Sequence, residues 1–363
     1  MASTVYFYSM SCRNHHQTKE AKVARLLALV GLKDRVVQGE PCAVKLHFGE
    51  MGNDTHLNPQ LVRIVVDKIR EAGAKPFLTD TTTLYSGSRH NAVDHLETAV
   101  RHGFAPSVVN CPVIIADGLY GENDVPVVVD GKHFHAVRIA TEIARAPAMV
   151  VLSHFKGHEM AGFGGAIKNL AMGGASKLGK REQHATSVQV NAEKCIGCGT
   201  CVKACPEQAM SLKDKKCVCD KSKCIGCFEC MTVCEQKAVE IDWATDVPLF
   251  TERLTEYGYG AVKGKEDHVC YVNFVMNVTP DCDCAGWSDR PLIADVGILA
   301  STDPVALDQA CFDLVQKAPL LADLDLKGRD IFTARWPHTT GQIQLSHGEA
   351  IGMGSRQYEL KVL

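Results

Sequence analysis

Short apolar runs alternate along the chain with stretches of helical periodicity. The runs that predict buried strands cover residues 5–8, 42–48, 75–79, 112–116, 148–153 and 269–276. Between and after them, apolar residues spaced three and four apart predict helices over residues 19–30, 59–72, 92–102, 140–146 and 251–259. The 42–48 run is almost continuously apolar, which is typical of a strand covered on both faces. This alternation predicts an α/β fold with a mostly parallel, layered sheet.

Three of the predicted strands run into loops that are rich in polar residues. The first loop contains His47 and Glu50, the second is DTTTLYSGSR (80–89), and the third is SHFKGHE (153–159). A single His or Asp at a strand end commonly caps a helix or forms a turn, and that interpretation stays open for each loop. Because the carboxyl ends of parallel strands meet at one edge of the sheet, the three loops together favour a shared ligand site.

Length and charge narrow the class of protein. With 363 residues the chain is long enough for two domains or one elaborated domain. A net charge of −3 gives no electrostatic case for binding nucleic acid or a membrane surface. The first residues lack a charged segment followed by an apolar one, and no stretch reaches the roughly 18 apolar residues that span a bilayer. We therefore expect a cytoplasmic protein, and its 17 cysteines favour the reducing cytosol of an anaerobe.

Eight of these cysteines form two copies of one spacing, CIGCGTCVKAC (195–205) and CIGCFECMTVC (224–234). This spacing is the bacterial run for [4Fe–4S] clusters, in which the fourth cysteine of each copy binds the other cluster. The predicted ligands of the first cluster are Cys195, Cys198, Cys201 and Cys234, and those of the second are Cys224, Cys227, Cys230 and Cys205. Structural zinc and disulfides are the alternatives, but zinc rarely uses this tandem spacing, and disulfides are unexpected without an export signal.

The cysteine-rich stretch interrupts the α/β pattern, which resumes after it. We therefore predict a two-cluster, ferredoxin-like module over residues 191–245, inserted between two parts of one α/β domain, residues 1–190 and 246–363.

The segment SHFKGHEMAGFGGAIKNLAMGG (153–174) is the densest candidate for chemistry. Its histidines, His154 and His158, have the spacing that would place both on one face of a helix for a metal ion. Glycines precede a helix predicted near Ala166, whose free amides would suit an anion. Lys168 would lie in its first turn, where a positive charge opposes the helix dipole unless an anion is bound. We predict that His154, His158 and Lys168 bind or protonate a small anionic substrate; a solvated lysine and a segment without metal are the simpler alternatives.

A second candidate is TPDCDCAGWSD (279–289). Cys282 and Cys284 are separated by one residue, so an extended chain would direct both thiols to one face. A disulfide between such close cysteines is geometrically awkward. The functional alternatives are an additional metal, for which His47 is a further candidate ligand, a redox thiol, and a pair that faces a cluster; buried inert thiols are the structural alternative.

Taken in order, these motifs resemble the domain-of-unknown-function 362 family. The segments that carry the resemblance are KLHFGEMGN, FLTDTTTLYSGSR, IADGL, SHFKGHEMAGFGGAIKNLAMGG, the two cysteine runs, TPDCDC and DVGILASTDPVALDQA. It covers essentially the full length, and it points to the iron–sulfur subgroup often labelled Fe–S centre proteins. The resemblance implies a cytoplasmic, cluster-bearing protein of anaerobes, and it assigns no reaction.

A shorter segment, HEMAGFGGAIK (158–168), is similar to one in the nickel-pincer lactate racemase family. In that family a histidine and a lysine at this spacing hold the cofactor and act on a 2-hydroxy acid. The similarity implies an acid/base role for His158 and a cofactor anchor at Lys168. We take it to indicate a shared fold and site position rather than shared chemistry.

These observations predict an iron–sulfur oxidoreductase. Electrons from a ferredoxin-type donor would pass through two [4Fe–4S] clusters to a substrate or metal centre in the α/β crevice. The alternative is a non-catalytic electron carrier, or a protein of cluster storage and maturation, in which the α/β part is a docking scaffold.

Overall fold

The computed structural model describes residues 2–85, 87–184, 187–224, 226, 228–242 and 247–363. Its strands are β1 (Ser3–Ser9), β2 (Pro41–Lys45), β3 (Lys75–Asp80), β4 (Val113–Ile115), β5 (Asp124–Val128), β6 (Ala136–Ala140), β7 (Ala148–His154), β8 (Lys156–His158), β9 (Gly162–Gly164), β10 (Val188–Val190), β11 (Met210–Lys213), β12 (Lys216–Cys219), β13 (Val239–Ile241), β14 (Val269–Val275), β15 (Gly297–Ser301) and β16 (Tyr358–Val362).

The helices are α1 (Lys19–Leu29), α2 (Leu32–Arg35), α3 (Pro59–Glu71), α4 (Ala92–Arg101), α5 (Pro106–Val109), α6 (Thr141–Arg145), α7 (Ala166–Gly174), α8 (Lys177–Gln183), α9 (Thr200–Ala204), α10 (Glu229–Thr232), α11 (Val247–Gly260), α12 (Pro304–Val315), α13 (Ile331–Arg335) and α14 (Ile343–Ala350). No helix within the described ranges is long and apolar enough to cross a lipid bilayer.

Eight strands form the central sheet, in the order β16-β1-β15-β14-β7-β2-β3-β4. All neighbours are parallel except β15, which runs antiparallel to both β1 and β14. The predicted α/β class with a mostly parallel sheet is therefore confirmed.

Successive residues of the central strands enter different apolar clusters on the two faces of the sheet. In β7, Met149 and Val151 pack on one face with α7, α11, α12 and α14. Val150 and Leu152 pack on the other face with α1 and α3. Because both faces are covered, the strand is apolar at every position, and this explains the continuous runs in the sequence.

The strand predicted over residues 42–48 ends earlier, at Lys45. Leu46 and Phe48 stay buried, so the apolar pattern continues, but the chain leaves the sheet and turns at Gly49, whose φ is +83°. The departure carries His47 away from the strand and into the loop that borders the functional cavity described below.

The cysteine-rich stretch lies between α8 and α11 and has its own small sheets. β10 pairs with β13, β11 pairs with β12, and both pairs are antiparallel. The chain leaves the main sheet after β7 and returns to it at β14, directly beside β7. β10 begins before the predicted boundary at 191, and the boundary at 245 falls outside the described residues; the domain division stays a prediction.

Candidate active site

The polar loops that follow β2, β3 and β7 surround one cavity of about 250 Å³. Charged and polar residues from these loops and from helix α7 line its floor: His47, Asp80, Arg89, His154, Lys156, His158, Glu159 and Lys168. Cys284 also lines it, and Lys180 reaches it from α8. The structure thus brings the three predicted strand-end loops to one place, together with part of the C-x-C segment.

Cys282 and Cys284 lie in a tight turn, so the predicted extended conformation is wrong. The N–H of Ala285 donates to the carbonyl oxygen of Cys282 at 2.9 Å and closes the turn. The two sulfurs and a ring nitrogen of His158 all lie within 4.8 Å of one another. The turn, rather than strand alternation, directs both thiols toward the same neighbours.

Lys168 is the charged partner of this cysteine pair. Its Nζ lies 3.2 Å from Cys282 Sγ, and both side chains are buried. The hydrogen bond from Cys284, followed by the charge of Lys168, lowers the pKa of the Cys282 thiol well below its ordinary value although burial opposes this. The pKa of Cys284 is raised well above its ordinary value, first by its hydrogen bond with Cys282 and then by its partial burial. Of the two thiols, Cys282 beside Lys168 is therefore the one whose charged form is favoured.

Asp283, between the two cysteines, fixes the turn to the sheet. Its carboxylate lies 2.9 Å from His154 Nδ1 and 3.0 Å from Lys156 Nζ, and its carbonyl oxygen accepts from the N–H of Glu50. Burial disfavours its charge, but His154 and Lys156 outweigh burial and hold its pKa well below the usual range. Sequence reasoning missed Asp283, although an acid flanked by two candidate cysteines was the available signal.

His154 is bound on both sides of its ring. Nδ1 faces the Asp283 carboxylate, and Nε2 lies 2.8 Å from the carbonyl oxygen of Met276. Both partners are acceptors, so both ring nitrogens donate only when the ring is the imidazolium. With both ring nitrogens engaged by these partners, His154 positions Asp283.

His158 has the opposite arrangement. Its Nδ1 accepts from the backbone N–H groups of Met160 and Ala161, both at 3.1 Å. In the neutral ring the proton therefore lies on Nε2, and burial lowers the pKa of His158, which favours this neutral form. His154 ends β7 and His158 ends β8, so the predicted helical face for a metal does not exist.

The start of α7 is already occupied by a side chain. The Asp308 carboxylate accepts from the N–H groups of Ala166 and Ile167 at 2.8 and 2.9 Å. The prediction that these amides are free for an anion is therefore wrong. The partner of the Lys168 ammonium group is instead the sulfur of Cys282, which comes from a different loop.

His47 lines the cavity but stands apart from the sulfur pair. Its Nδ1 accepts from the N–H of Gly49 at 2.9 Å, and its Nε2 lies 3.1 Å from Arg89 Nη1. Burial and then the charge of Arg89 lower the pKa of His47 well below its ordinary value. Among the described residues, the three-ligand group is His158, Cys282 and Cys284, without His47.

Most of the positive side chains around the cavity have a negative partner close by. Arg89 lies 3.0 Å from Glu50, Lys156 lies 3.0 Å from Asp283, and Lys168 contacts Cys282. Within the described part of the chain, no carboxylate lies in ion-pair distance of Lys180; its Nζ donates to Thr81 Oγ1 at 2.6 Å and to the carbonyl oxygen of Ala175 at 2.8 Å. Burial lowers the pKa of Lys180 to about 8. Sequence reasoning singled out neither Arg89 nor Lys180, and Lys180 is the one of the two that could pair with an anion from outside.

The cysteine runs fold so that distant members approach each other. Cys195, Cys198, Cys201 and Cys234, the predicted ligands of the first cluster, line one small cavity together with Cys217. Cys205 and Cys224 both lie close to Cys219, whose pKa is raised to about 12 by burial and then by Cys224. Cys230 is buried in the same cysteine-rich core. Cys227, the remaining predicted ligand, lies outside the described residues.

Backbone amides donate to several of these sulfurs. The N–H groups of Cys217, Ala209 and Ala238 lie 3.3 Å from the sulfurs of Cys195, Cys205 and Cys234, respectively. Two of these contacts, to the fourth cysteine of each run, are equivalent: each sulfur accepts from the amide four residues ahead. This repeated geometry stabilises negative charge on the sulfurs.

The cysteine-rich stretch also forms part of the wall of the main cavity. Phe228 and Met231, from the second run, line that cavity beside His184. Phe228 packs against the apolar core of the sheet and against the cysteine-rich core at once. The two parts of the molecule are therefore in direct contact at the site.

Comparison with known proteins gives a family and a distant fold likeness. The family model described as Domain of unknown function (DUF362) matches residues 42–313, and comparison with curated proteins finds no match. Among solved structures the chain is similar to the lactate racemase apoprotein from Thermoanaerobacterium thermosaccharolyticum, with 15% identity and a TM-score of 0.38 over 76% of this chain and 51% of that chain. It is also similar to a Thermotoga maritima protein from the Northeast Structural Genomics Consortium, with 10% identity and a TM-score of 0.36 over 83% of this chain and 60% of that chain. The chain thus spans about half the length of the racemase chain.

Proposed function

The chain belongs to the DUF362 family, and we propose that it is the iron–sulfur oxidoreductase that its cysteine runs predict, of the Fe–S centre subgroup. In this proposal residues 191–245 hold two [4Fe–4S] clusters, a ferredoxin-type protein supplies electrons, and the acceptor is a small anionic substrate or a metal in the cavity of the α/β part. The observation that carries the proposal is that the cysteine-rich stretch forms part of the cavity wall. Phe228 and Met231, which border the cavity, are neighbours in sequence of the predicted ligands Cys227 and Cys230.

The donor set fits such clusters. Four thiols from both runs line one small cavity, and backbone amides donate to cysteine sulfurs at equivalent positions of the two runs. Clusters of this kind supply single electrons at low potential when bound. Cysteine ligands with hydrogen-bonded sulfurs are what these clusters require, whereas structural zinc needs no fourth ligand from a second, equivalent run.

The cavity residues have separate tasks in this proposal. Lys180 binds the anionic group of the substrate, because among the described residues no carboxylate lies in ion-pair distance of its ammonium group. His158 directs its Nε2–H as a hydrogen-bond or proton donor, since its Nδ1 is held by backbone amides. His154 and Lys156 keep Asp283 ionised and the cysteine turn in place.

The decisive experiment compares cluster content with turnover. Anaerobically purified protein is expected to contain about eight irons per chain, with a visible spectrum that bleaches when a reduced ferredoxin is added. Small reducible carboxylates, such as α-keto and α,β-unsaturated acids, are then tested for reoxidation of the bleached protein. Lys180→Met is expected to keep its iron and lose reoxidation, whereas Lys33→Met, on the exposed surface, is expected to match the wild type.

Two results contradict the proposal in different ways. If the purified protein contains zinc in place of iron, it cannot transfer electrons and the proposed function is wrong. Full iron content, with reoxidation that is identical in Lys180→Met and the wild type, supports the alternative of an electron carrier or cluster-storage protein whose α/β part is a scaffold.

A further inference from the structure

We propose that Cys282 and Cys284 form a redox-active dithiol that closes reversibly to a disulfide at the wall of the cavity. The inference deepens the proposed function, on which it rests for the source of electrons. The thiol chemistry itself needs no iron, so the two proposals are tested separately.

A turn, and not an extended strand, brings the two cysteines together. Its hydrogen bond, from the N–H of Ala285 to the carbonyl oxygen of Cys282, draws the chain back on itself. The α-carbons of Cys282 and Cys284 are therefore closer than in an extended chain, which moves them toward the separation that a disulfide tolerates. The sulfurs lie within 4.8 Å of each other, and closing the bond must bring them to about 2 Å.

The residue between the cysteines holds the turn rigid. Asp283 is buried and bound by His154, Lys156 and the backbone N–H of Glu50. On the other side, Gly157 approaches the loop so closely that a Cβ at this position would lie 2.3 Å from the carbonyl oxygen of Pro280. With its backbone fixed on two sides, the loop presents the two thiols as a preformed pair.

The two sulfurs have unequal surroundings, which suit exchange with an external disulfide. Cys282 is buried against Lys168, whereas Cys284 is partly exposed and lines the cavity. Cys284 passes its proton to Cys282 and attacks one sulfur of the external disulfide, and the other sulfur leaves as a thiolate. Cys282 returns its proton to that thiolate and attacks the sulfur of Cys284, which releases the second thiolate. One disulfide is formed and one is broken, and the two electrons leave on the two released thiol groups.

The reverse reaction consumes two electrons, together with one proton for each sulfur that is left as a thiol. Two one-electron carriers in the neighbouring cysteine-rich part would supply that number, so the dithiol would convert single electrons into a pair. Lys168 stabilises the thiolate of the reduced form, which makes the couple more oxidising than an unassisted dithiol.

The same contacts argue against a metal bound by this group. Lys168 Nζ already lies 3.2 Å from the sulfur of Cys282 and compensates its charge. His158 keeps its proton on Nε2 because backbone amides donate to Nδ1, so its neutral ring offers no free lone pair to a metal.

The test is an equilibrium titration of the full-length protein in mixtures of reduced and oxidised dithiothreitol, under argon at fixed pH. Samples are quenched in acid, alkylated and digested, and the peptide that carries Cys282 and Cys284 is quantified by mass spectrometry. Both thiols are expected to disappear together in one two-electron transition, with an internal disulfide as the product. Peptides with the buried Cys42 and Cys270 serve as internal controls and are expected to stay reduced.

Two variants make the assignment specific. Lys168→Met keeps the aliphatic stem and is expected to favour the disulfide by about tenfold, which is about 30 mV for a two-electron couple. Cys284→Ser is expected to leave Cys282 unable to form an internal disulfide. Thiols that stay reduced throughout, oxidise independently, or are protected by a stoichiometric metal ion overturn the inference. Iron content measured on the same samples reports separately on the proposed function, because Lys168→Met and Cys284→Ser retain all eight cluster cysteines.

Discussion

Replacing Gly157 with alanine tests whether the cysteine turn depends on close packing against β8. A Cβ at this position would lie 2.3 Å from the carbonyl oxygen of Pro280 and 2.9 Å from its carbon, both in the backbone. The carbonyl must retreat by about 1 Å to reach ordinary contact, and no flexible side chain can yield instead. Overpacking of this kind costs about 1–3 kcal/mol in the free energy of unfolding.

The same displacement has a chemical consequence. Gly157 also donates its N–H to the carbonyl oxygen of Thr279 at 2.8 Å, so the strand and the loop separate together. Because Lys168 contacts Cys282 at 3.2 Å, a shift of about 1 Å ends this contact. We expect Gly157→Ala to lower the denaturant midpoint, followed by circular dichroism, and to slow alkylation of Cys282 at neutral pH, since less of that thiol is ionised.

Gly164→Ala is the matched control. Gly164 lines the same cavity, yet the atoms nearest to a Cβ there belong to the flexible side chains of Lys156 and Lys168, at 3.7 Å. This variant is expected to be neutral or more stable by up to about 1 kcal/mol, because alanine restricts the unfolded chain. Equal stability and equal thiol reactivity of the two variants would refute the packing argument.

Two further predictions concern charge. Asp283→Asn leaves His154 and Lys156 without their buried counter-charge and should lower the free energy of unfolding by about 3–5 kcal/mol. Because the pKa of Asp283 is depressed, its stabilisation is present above the unfolded-state pKa of about 4 and is lost as the pH falls through the folded-state pKa, so the deficit of the variant in urea denaturation should shrink in acid below about pH 4. Lys180 carries its charge below its pKa of about 8, so the affinity for a probe such as pyruvate should fall by up to about tenfold per pH unit above that value. In calorimetric titrations, Lys180→Met should bind the probe weakly, and its affinity should not fall above pH 8. If the affinity of the variant still falls above pH 8, another group is responsible for the pH dependence.

The sheet and the meeting of its loops were predictable because they follow from local patterns. Apolar runs located the central strands, and the carboxyl ends of parallel strands necessarily share an edge. The loop DTTTLYSGSR, noted only for its polarity, supplies Arg89 to the cavity. The edge strand β16 was not predicted, since its residues are largely exposed and give no continuous apolar run.

The parts that sequence reasoning missed are contacts between residues far apart in the chain. Asp308 caps α7 from more than a hundred positions away, so no spacing rule could reveal that the helix amides were occupied. The partner of Lys168 is likewise a sulfur from another loop. The turn at Cys282 and Cys284 depends on Asp283 meeting two cations of the β7–β8 segment, and strand periodicity alone suggested an extended chain instead.

Phe228 belongs to two cores at once, so the cavity is complete only while the cysteine-rich stretch keeps its fold. The core around the cysteines is small and built largely from thiols, so it has little apolar surface with which to hold itself together. If that core opens, Phe228 and Met231 withdraw from the rim and a ligand loses one side of its enclosure. Anything that stabilises the cysteine-rich stretch must then tighten ligand binding, and a ligand that fills the cavity must stabilise that stretch by an equal free energy. The chain would thus offer a complete binding site only after its cysteine-rich segment had folded.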